Sequence, residues 1–246
     1  MFSAWALALL LTPAASDPRA TAIADQVMVA LGGTEAWNAT HYLRFDFAVD
    51  VKGRNVMTRS HWWNKWTGAY RVEGKDKDGQ AYLVLMNLNT RQGEAWLSGK
   101  PTAGEQQQKL LERGYSIWVN DTYWLLMPYK LRDPGVSLAY AGAARMGAAR
   151  CDKISLTFEG VGLTPKDHYW IYVDRDTHLV DGWDYILQDE KGPATHFDWT
   201  GWKACGRVQL APERMNARDG ERIHFPVLEA PNQIPETAFK SSGPVR

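Results

Sequence analysis

The chain has 246 residues, 45% of them hydrophobic, and its 28 Lys+Arg are balanced by 28 Asp+Glu. That length suits one large domain or two small ones, with enough chain to bury a substantial core. The even charge argues against a nucleic-acid footprint, which would need a net basic face, and it supplies no general attraction to anionic lipid.

In chain order, residues 1–16 come first and read as a secretory signal peptide. An apolar run over 4–11 is followed by Pro13 and the small residues Ala14, Ala15 and Ser16, although no Lys or Arg precedes the run. Cleavage after Ser16 leaves small side chains where they are needed. The run is well short of the ~20 apolar residues a membrane span requires, and no Cys follows it for lipid attachment. The mature chain is therefore expected to start near Asp17, as a soluble periplasmic or secreted protein.

Residues 17–31 predict an amphipathic helix, with Ile23, Val27 and Leu31 four apart and Gly32-Gly33 closing it. The period then changes to two. Leu43, Phe45, Phe47, Val49 and Val51 alternate with Arg44, Asp46, Asp50 and Lys52, the pattern of a half-buried strand. Further strands are expected at 55–63, 69–74, 80–88 and 91–98, divided by turn residues such as Asp78-Gly79. Short turns between successive strands imply antiparallel pairing, because parallel strands need long crossovers.

The pattern becomes helical over 102–118, where Leu111, Tyr115 and Trp118 share a face and "EQQQK" supplies the polar one. The stretch "NDTYWLLMPYKLRDPG", 120–135, predicts a second, short helix: Asn120 or Asp121 as its cap, 122–127 as its body, Pro128 as its limit and Asp133-Pro134-Gly135 as a turn. It serves either as core closure or as a lid over a ligand site. Strands resume at 136–142, 151–160, 167–174, 178–189, 194–203, 206–215 and 221–230, and residues 231–246 read as a tail that is mobile at its end. The expected architecture is mainly β with a helical insertion (α+β), one domain over 17–230. Its antiparallel sheet of about ten or more strands should curl at that size.

Motifs that carry chemistry are few. The sequence has no G-x-S-x-G elbow, H-E-x-x-H, Walker A loop or G-x-G-x-x-G, and its six histidines are scattered singly. The cluster "DRDTH", Asp174 to His178, has the residue types of a metal site but sits where a hairpin turn between two strands explains it. No metal and no cofactor are expected. Cys151 and Cys205 are too far apart for a zinc ribbon or C-x-x-C motif, and in an oxidising compartment they are expected to pair as one disulfide. Asn38-Ala39-Thr40 and Asn120-Asp121-Thr122 match the short, common glycosylation pattern.

Aromatic content is the anomaly. There are 12 tryptophans, all but Trp5 beyond the signal peptide. Trp buries a large ring while its N–H seeks a polar partner. Several strands are also apolar on both faces: Ala81, Leu83 and Leu85 point one way, and Tyr82, Val84 and Met86 the other. Such a sheet packs on both faces, or packs on one and lines a cavity with the other.

The stretches "NDTYWLLMPYKLRDPGV", "LTFEGVGLTPKDHYWIYVD" and "LVDGWDYIL" resemble an uncharacterised family of secreted bacterial proteins. With the order of elements, the resemblance extends over about 17–228 to the LolA/LolB-like fold group, the lipoprotein-localisation factors and their relatives. It implies an incomplete barrel whose apolar concave side is covered by helices, and a non-enzymatic carrier or binder of a lipid-like ligand. Candidates for the cavity or lid are Trp62, Trp66, Tyr82, Leu85, Trp96, Trp118, Tyr123, Trp124, Met127, Tyr169, Trp183 and Tyr185. Two other readings stay open. One is a monomeric envelope interaction module whose aromatics pack a core and dock an envelope protein. The other is a hydrolase with dispersed residues such as His168, Asp174 or Asp184, which requires a His within reach of a carboxylate inside a pocket.

Overall fold

The computed structural model describes residues 16–159, 164, 166–188 and 190–245, so all of the expected signal peptide (1–16) but Ser16 lies outside the described residues. Helix α1 (Pro18–Ala30) starts where Asp17 Oδ1 accepts from the Arg19 and Ala20 backbone N–H groups, and Pro18 occupies its first turn. Ala20, Ile23, Ala24 and Val27 form its buried stripe. Gly32 ends it at φ +111°, where an added Cβ would lie 2.7 Å from the Arg207 carbonyl oxygen. A second helix that periodicity did not reveal, α2 (Gly33–Ala39), follows at once; its seven residues bury none of their own, so no apolar stripe marks it.

The first half of the sheet comprises β1 (Tyr42–Val51), β2 (Arg54–Asn64), β3 (Ala69–Lys75), β4 (Ala81–Asn87), β5 (Gln92–Leu97) and the short β6 (Lys100–Pro101). After the helical interruption come β7 (Val136–Met146), β8 (Ala149–Phe158), β9 (His168–Asp174), β10 (Val180–Ile186) and β11 (Thr195–Thr200). The stretches expected as single strands over 206–215 and 221–230 each divide. The pieces are β13 (Val208–Leu210) and β14 (Glu213–Asn216), then β15 (Glu221–His224) and β16 (Leu228–Glu229). Pro212 and Pro226 fall at the breaks and have no N–H for a ladder. β12 (Lys203–Cys205) and β13 make a separate two-stranded ribbon.

The remaining strands form one sheet in the order β6-β5-β4-β3-β2-β1-β15-β14-β11-β10-β9-β8-β7, with β16 beside β1. Its pairings are antiparallel throughout and its two ends do not meet, which makes a curved half-barrel. One face carries Leu43, Phe45, Phe47, Val72, Val84, Ile171, Trp183 and Phe197, all buried. Helices lie across it.

The central helix corrects the sequence expectation. Instead of two helices there is one, α3 (Gly104–Leu126), followed by a 3-10 turn at Met127–Lys130. Asn120 and Asp121 do not cap a new helix because Asp121 is held by partners on the sheet, and nothing before Pro128 interrupts the backbone. The buried positions Leu110, Leu111, Gly114, Ile117, Asp121, Thr122 and Leu125 follow helical spacing on one face. Gly114 sets the approach: a Cβ there would lie 3.0 Å from Val84 Cγ1.

The outer face of β3 and β4 is covered too. The segment after Ala230, expected as a tail, carries α4 (Thr237–Lys240), which packs against β3 and β4. Arg71, buried on that outer face, donates to the carbonyls of Ala238 (3.2 Å), Ser241 (2.6 Å) and Gly243 (2.8 Å).

The expected disulfide is absent. Cys151 and Cys205 are both free and buried. Cys151 is on β8 with its Sγ 3.8 Å from Asp181 Oδ2, whereas the Cys205 Sγ on β12 is 3.5 Å from the Leu228 carbonyl oxygen. The two cysteines lie on separate sheets, and each thiol has its own partner. Burial, then the Asp181 and Asp174 carboxylates, push the Cys151 thiol up to about 11, and burial raises Cys205. A reducing agent is therefore expected to leave the melting temperature unchanged, and both thiols should react with an alkylating reagent only after unfolding. A melting temperature that falls on reduction would show a disulfide instead.

Candidate functional site

The candidate site is the seam between α3 with its following turn and the helix-covered face of the sheet. Strand alternation decides who reaches it. On β2 the residues Arg59, His61 and Trp63 face the helix; on β3, Tyr70 and Val72; on β4, Tyr82, Val84 and Met86. At the N-terminal end of α3, Leu110, Leu111 and Ile117 pack on Tyr70, Tyr82, Val84 and Met86, and Trp118 meets Trp63 edge-on at 5.3 Å between centroids. At the C-terminal end the contacts are aromatic. Trp124 packs edge-on against Trp183 (4.7 Å) and Phe197 (4.9 Å), and Tyr123 against Tyr169 (5.4 Å).

Between these two apolar blocks lies a polar one. Asp121, fully buried, accepts two bonds from the Arg59 guanidinium, at 2.7 and 2.6 Å, and its Oδ2 is 3.1 Å from His61 Nε2. His61 is also fully buried; its Nδ1 is 2.8 Å from the Tyr70 hydroxyl and its ring stacks on Phe45 at 4.3 Å. Burial drives the His61 pKa down against the attraction of Asp121. Burial by itself would raise Asp121, but His61 and Arg59 outweigh it and hold the carboxyl below its ordinary value. A neutral imidazole thus sits beside an ionised carboxylate that a guanidinium grips with two parallel bonds.

A second clamp holds the end of α3. Pro128 has no N–H to donate to the carbonyl four residues earlier, that of Trp124. Arg214, fully buried on β14, donates to that oxygen twice, at 3.1 and 2.9 Å, while its guanidinium lies 3.3 Å from the centroid of the Trp199 ring.

Several ring polar atoms in the seam have no hydrogen-bond partner among the described residues: the hydroxyls of Tyr82 and Tyr123 and the indole N–H groups of Trp118 and Trp183. The seam is otherwise filled by side chains from both sides. Two concavities, of about 380 and 320 Å³, open elsewhere. One is lined by Ala143, Ala144, Arg145, Arg150 and Arg175, the other by Ala39, Thr40, His41, Arg207, Ala230, Pro231 and Asn232.

Of the candidates named from sequence, the structure brings Tyr82, Trp118, Tyr123, Trp124, Met127, Tyr169, Trp183 and Tyr185 to the helix-covered face. It puts Trp62, Leu85 and Trp96 on the outer face, because Trp62 pairs with Arg71, Leu85 with Arg71 and Trp96 with Leu83. Trp66 lies in a turn, 63% exposed, against His41. Sequence reasoning missed Arg59, His61, Asp121 and Arg214. Only Asp121 left a signal, as a carboxylate on the apolar stripe of a helix.

The dispersed-hydrolase residues do not converge. The Asp174 carboxylate accepts from the Asp176 and Thr177 backbone N–H groups in a hairpin turn, and His168 stacks on Trp170. Asp184 does meet a histidine, His196 at 2.7 Å, but on the outer face and in neither concavity. Among the described residues no group of His, Cys, Asp and Glu is arranged to hold a metal ion. Among them, too, no helix is long and apolar enough to cross a membrane.

No family model matches the sequence, and no curated protein does. Solved structures do share the fold. A DUF1329 family protein from Desulfovibrio piger superposes with a TM-score of 0.53 at 12% identity, over 92% of this chain and 99% of that one. A LolA superfamily protein from Nitrosomonas europaea superposes with a TM-score of 0.50 at 8% identity, over 89% of this chain and 96% of that one. The fold is LolA-like, a curved half-barrel with helical cover.

Proposed function

We propose that the protein is a periplasmic, non-enzymatic binder or carrier of a lipid-like ligand, taken up between α3 and the helix-covered face. The observation that carries this reading is the set of buried atoms on Tyr82, Trp118, Tyr123 and Trp183, on both sides of the polar block, that have no hydrogen-bond partner among the described residues. A buried hydroxyl or indole N–H without a partner costs about 1–3 kcal/mol. An amphipathic molecule with ester or hydroxyl oxygens along an apolar chain would satisfy these atoms and occupy their aromatic surroundings. The LolA-like fold and the secretion signal read from the sequence support the same compartment and ligand class. Because side chains fill the seam, entry requires α3 to move off the sheet.

Tyr123→Phe tests the reading without disturbing the packing. Removing the unpartnered hydroxyl should raise stability by about 1 kcal/mol in the absence of ligand and should weaken binding of a fluorescent fatty-acid probe. Native mass spectrometry of the mildly extracted wild type should show a bound lipid. No lipid and no probe binding would overturn the reading. The filled seam favours one alternative, an envelope interaction module with a packed aromatic core. That alternative would be supported by a stoichiometric envelope partner in a crosslinked pull-down of a lipid-free protein.

A further inference from the structure

The even overall charge conceals a local excess at the free end of the sheet. β7 is the last strand there and turns into β8 through Gly147-Ala148, with Met146 opposite Ala149. That register puts Arg145 directly opposite Arg150. Side chains directly opposite one another on an antiparallel pair share a face, and like charges so placed repel. The turn after β9 brings a third guanidinium: the Arg175 backbone N–H donates to the Arg150 carbonyl at 2.9 Å. These three arginines line the concavity of about 380 Å³, whose only other lining residues are Ala143 and Ala144. Ala143, two residues before Arg145 and so on its face, is too short to fill that concavity.

Counter-ions are too few to neutralise the group. Asp152 is shared, at 2.6 Å from Arg175 and 3.3 Å from Arg19. Asp176 pairs with Arg150 at 3.2 Å, with both side chains well exposed, an arrangement that contributes little. Arg145 has no carboxylate partner among the described residues. Asp174 and Asp181 are close in the chain but lie with Cys151 on the opposite face, since Cys151 pairs with Asp174 and its Sγ meets Asp181.

We propose that this groove binds a tetrahedral oxyanion, a phosphate group held between Arg145, Arg150 and Arg175. Guanidinium forks match phosphate oxygens two at a time, and a dianion placed between Arg145 and Arg150 turns their repulsion into a shared attraction. The phosphate is either free or the headgroup of an anionic phospholipid, and the two sources are separable. The site is independent of the α3 seam.

The test uses the mature wild type beside Arg145→Gln and the double variant Arg145→Gln/Arg150→Gln. Both side chains are exposed, so both variants should melt at or slightly above the wild-type temperature. In the first arm, inorganic phosphate is titrated against the amide resonances of Ala143, Ala144 and Arg150. In the second, flotation compares phosphatidylglycerol-containing vesicles with vesicles of phosphatidylcholine alone. A saturable phosphate response that weakens about tenfold in Arg145→Gln and vanishes in the double variant supports a free phosphate ligand. Selective flotation with phosphatidylglycerol, lost in the double variant and without a saturable phosphate response, supports the headgroup. If wild type and double variant behave alike in both arms, the proposal is overturned.

Discussion

Asp121→Ala is expected to cost about 3–5 kcal/mol of folding stability, measured as a lower denaturant midpoint at unchanged slope. The carboxylate is fully buried, and its removal strands the Arg59 guanidinium, 13% exposed, and the His61 ring without their shared acceptor. The cost comes from that uncompensated charge; the intact pair itself contributes far less relative to an apolar pair of the same shape. The same network fixes a pH dependence. Burial lowers the His61 pKa, so below about 6.5 the unfolded chain binds a proton that the folded protein does not. The contribution of His61 is therefore fully present above that pH and is lost as pH falls towards the folded value. Asp121, held below its ordinary value in the fold, adds a further loss below about 3.9, as pH falls through its folded pKa. His168 is also lowered by burial, while Asp184 raises His196 and opposes the trend, so the comparison is between wild type and His61→Gln at pH 7.5 and 5.5. The wild type should lose more stability between those pH values than the variant. An Asp121→Ala cost below 1 kcal/mol, or identical pH slopes, would mean that the network does not hold α3 to the sheet.

Much of the sheet was legible because period-two alternation is local. Leu43 to Val51 needed only their own neighbours to specify a strand with one buried face, and β2 to β5 followed from turn residues between similar runs. Where the outcome depended on distant chain, the sequence left it open or misled. Both faces of β4 are apolar, which allowed either two packed faces or one face lining a cavity; in the structure α3 covers Tyr82, Val84 and Met86, and α4 lies against the other face. The choice between two packed faces and one open one rests on residues about 150 positions later in the chain. The split of α3 into two helices came from giving Asp121 a local role as a cap. Its partner Arg59 is 62 residues away, and no local rule names it.

The site was half legible for the same reason. Aromatic residues on α3, β9 and β10 were picked out, and those on inward-facing positions do converge on the seam. Composition carries no parity, so Trp62, Leu85 and Trp96 were grouped with residues from which the sheet separates them. The arginine pair of the oxyanion groove is of a third kind. Its register follows from a two-residue turn at Gly147-Ala148, but balanced total charge drew attention away from it.

Arg214→Ala should destabilise the protein by about 2–4 kcal/mol, and the loss should depend on Pro128. Among the described residues no carboxylate is hydrogen-bonded to Arg214; its N–H groups go to the carbonyls of Trp124, Ala211 and Glu213. Burial drives its pKa well down, so the charge itself is a cost that truncation would relieve. What truncation cannot relieve is the Trp124 carbonyl, left buried at the end of α3 where the helix dipole is negative and a cation is favoured. Arg214→Lys should recover only part of the loss, since a single ammonium cannot reproduce two bonds to one oxygen while also reaching Ala211. The dependence on Pro128 supplies the sharper test. Pro128→Ala restores an N–H four residues after Trp124, which can accept the role that the guanidinium plays. In that background Arg214→Ala should therefore cost at least about 1 kcal/mol less than in the wild type, a coupling that a double-mutant cycle resolves. Strictly additive costs would show that Arg214 acts through its packing on Trp199 and Phe225 and not through the carbonyl that Pro128 leaves unpaired.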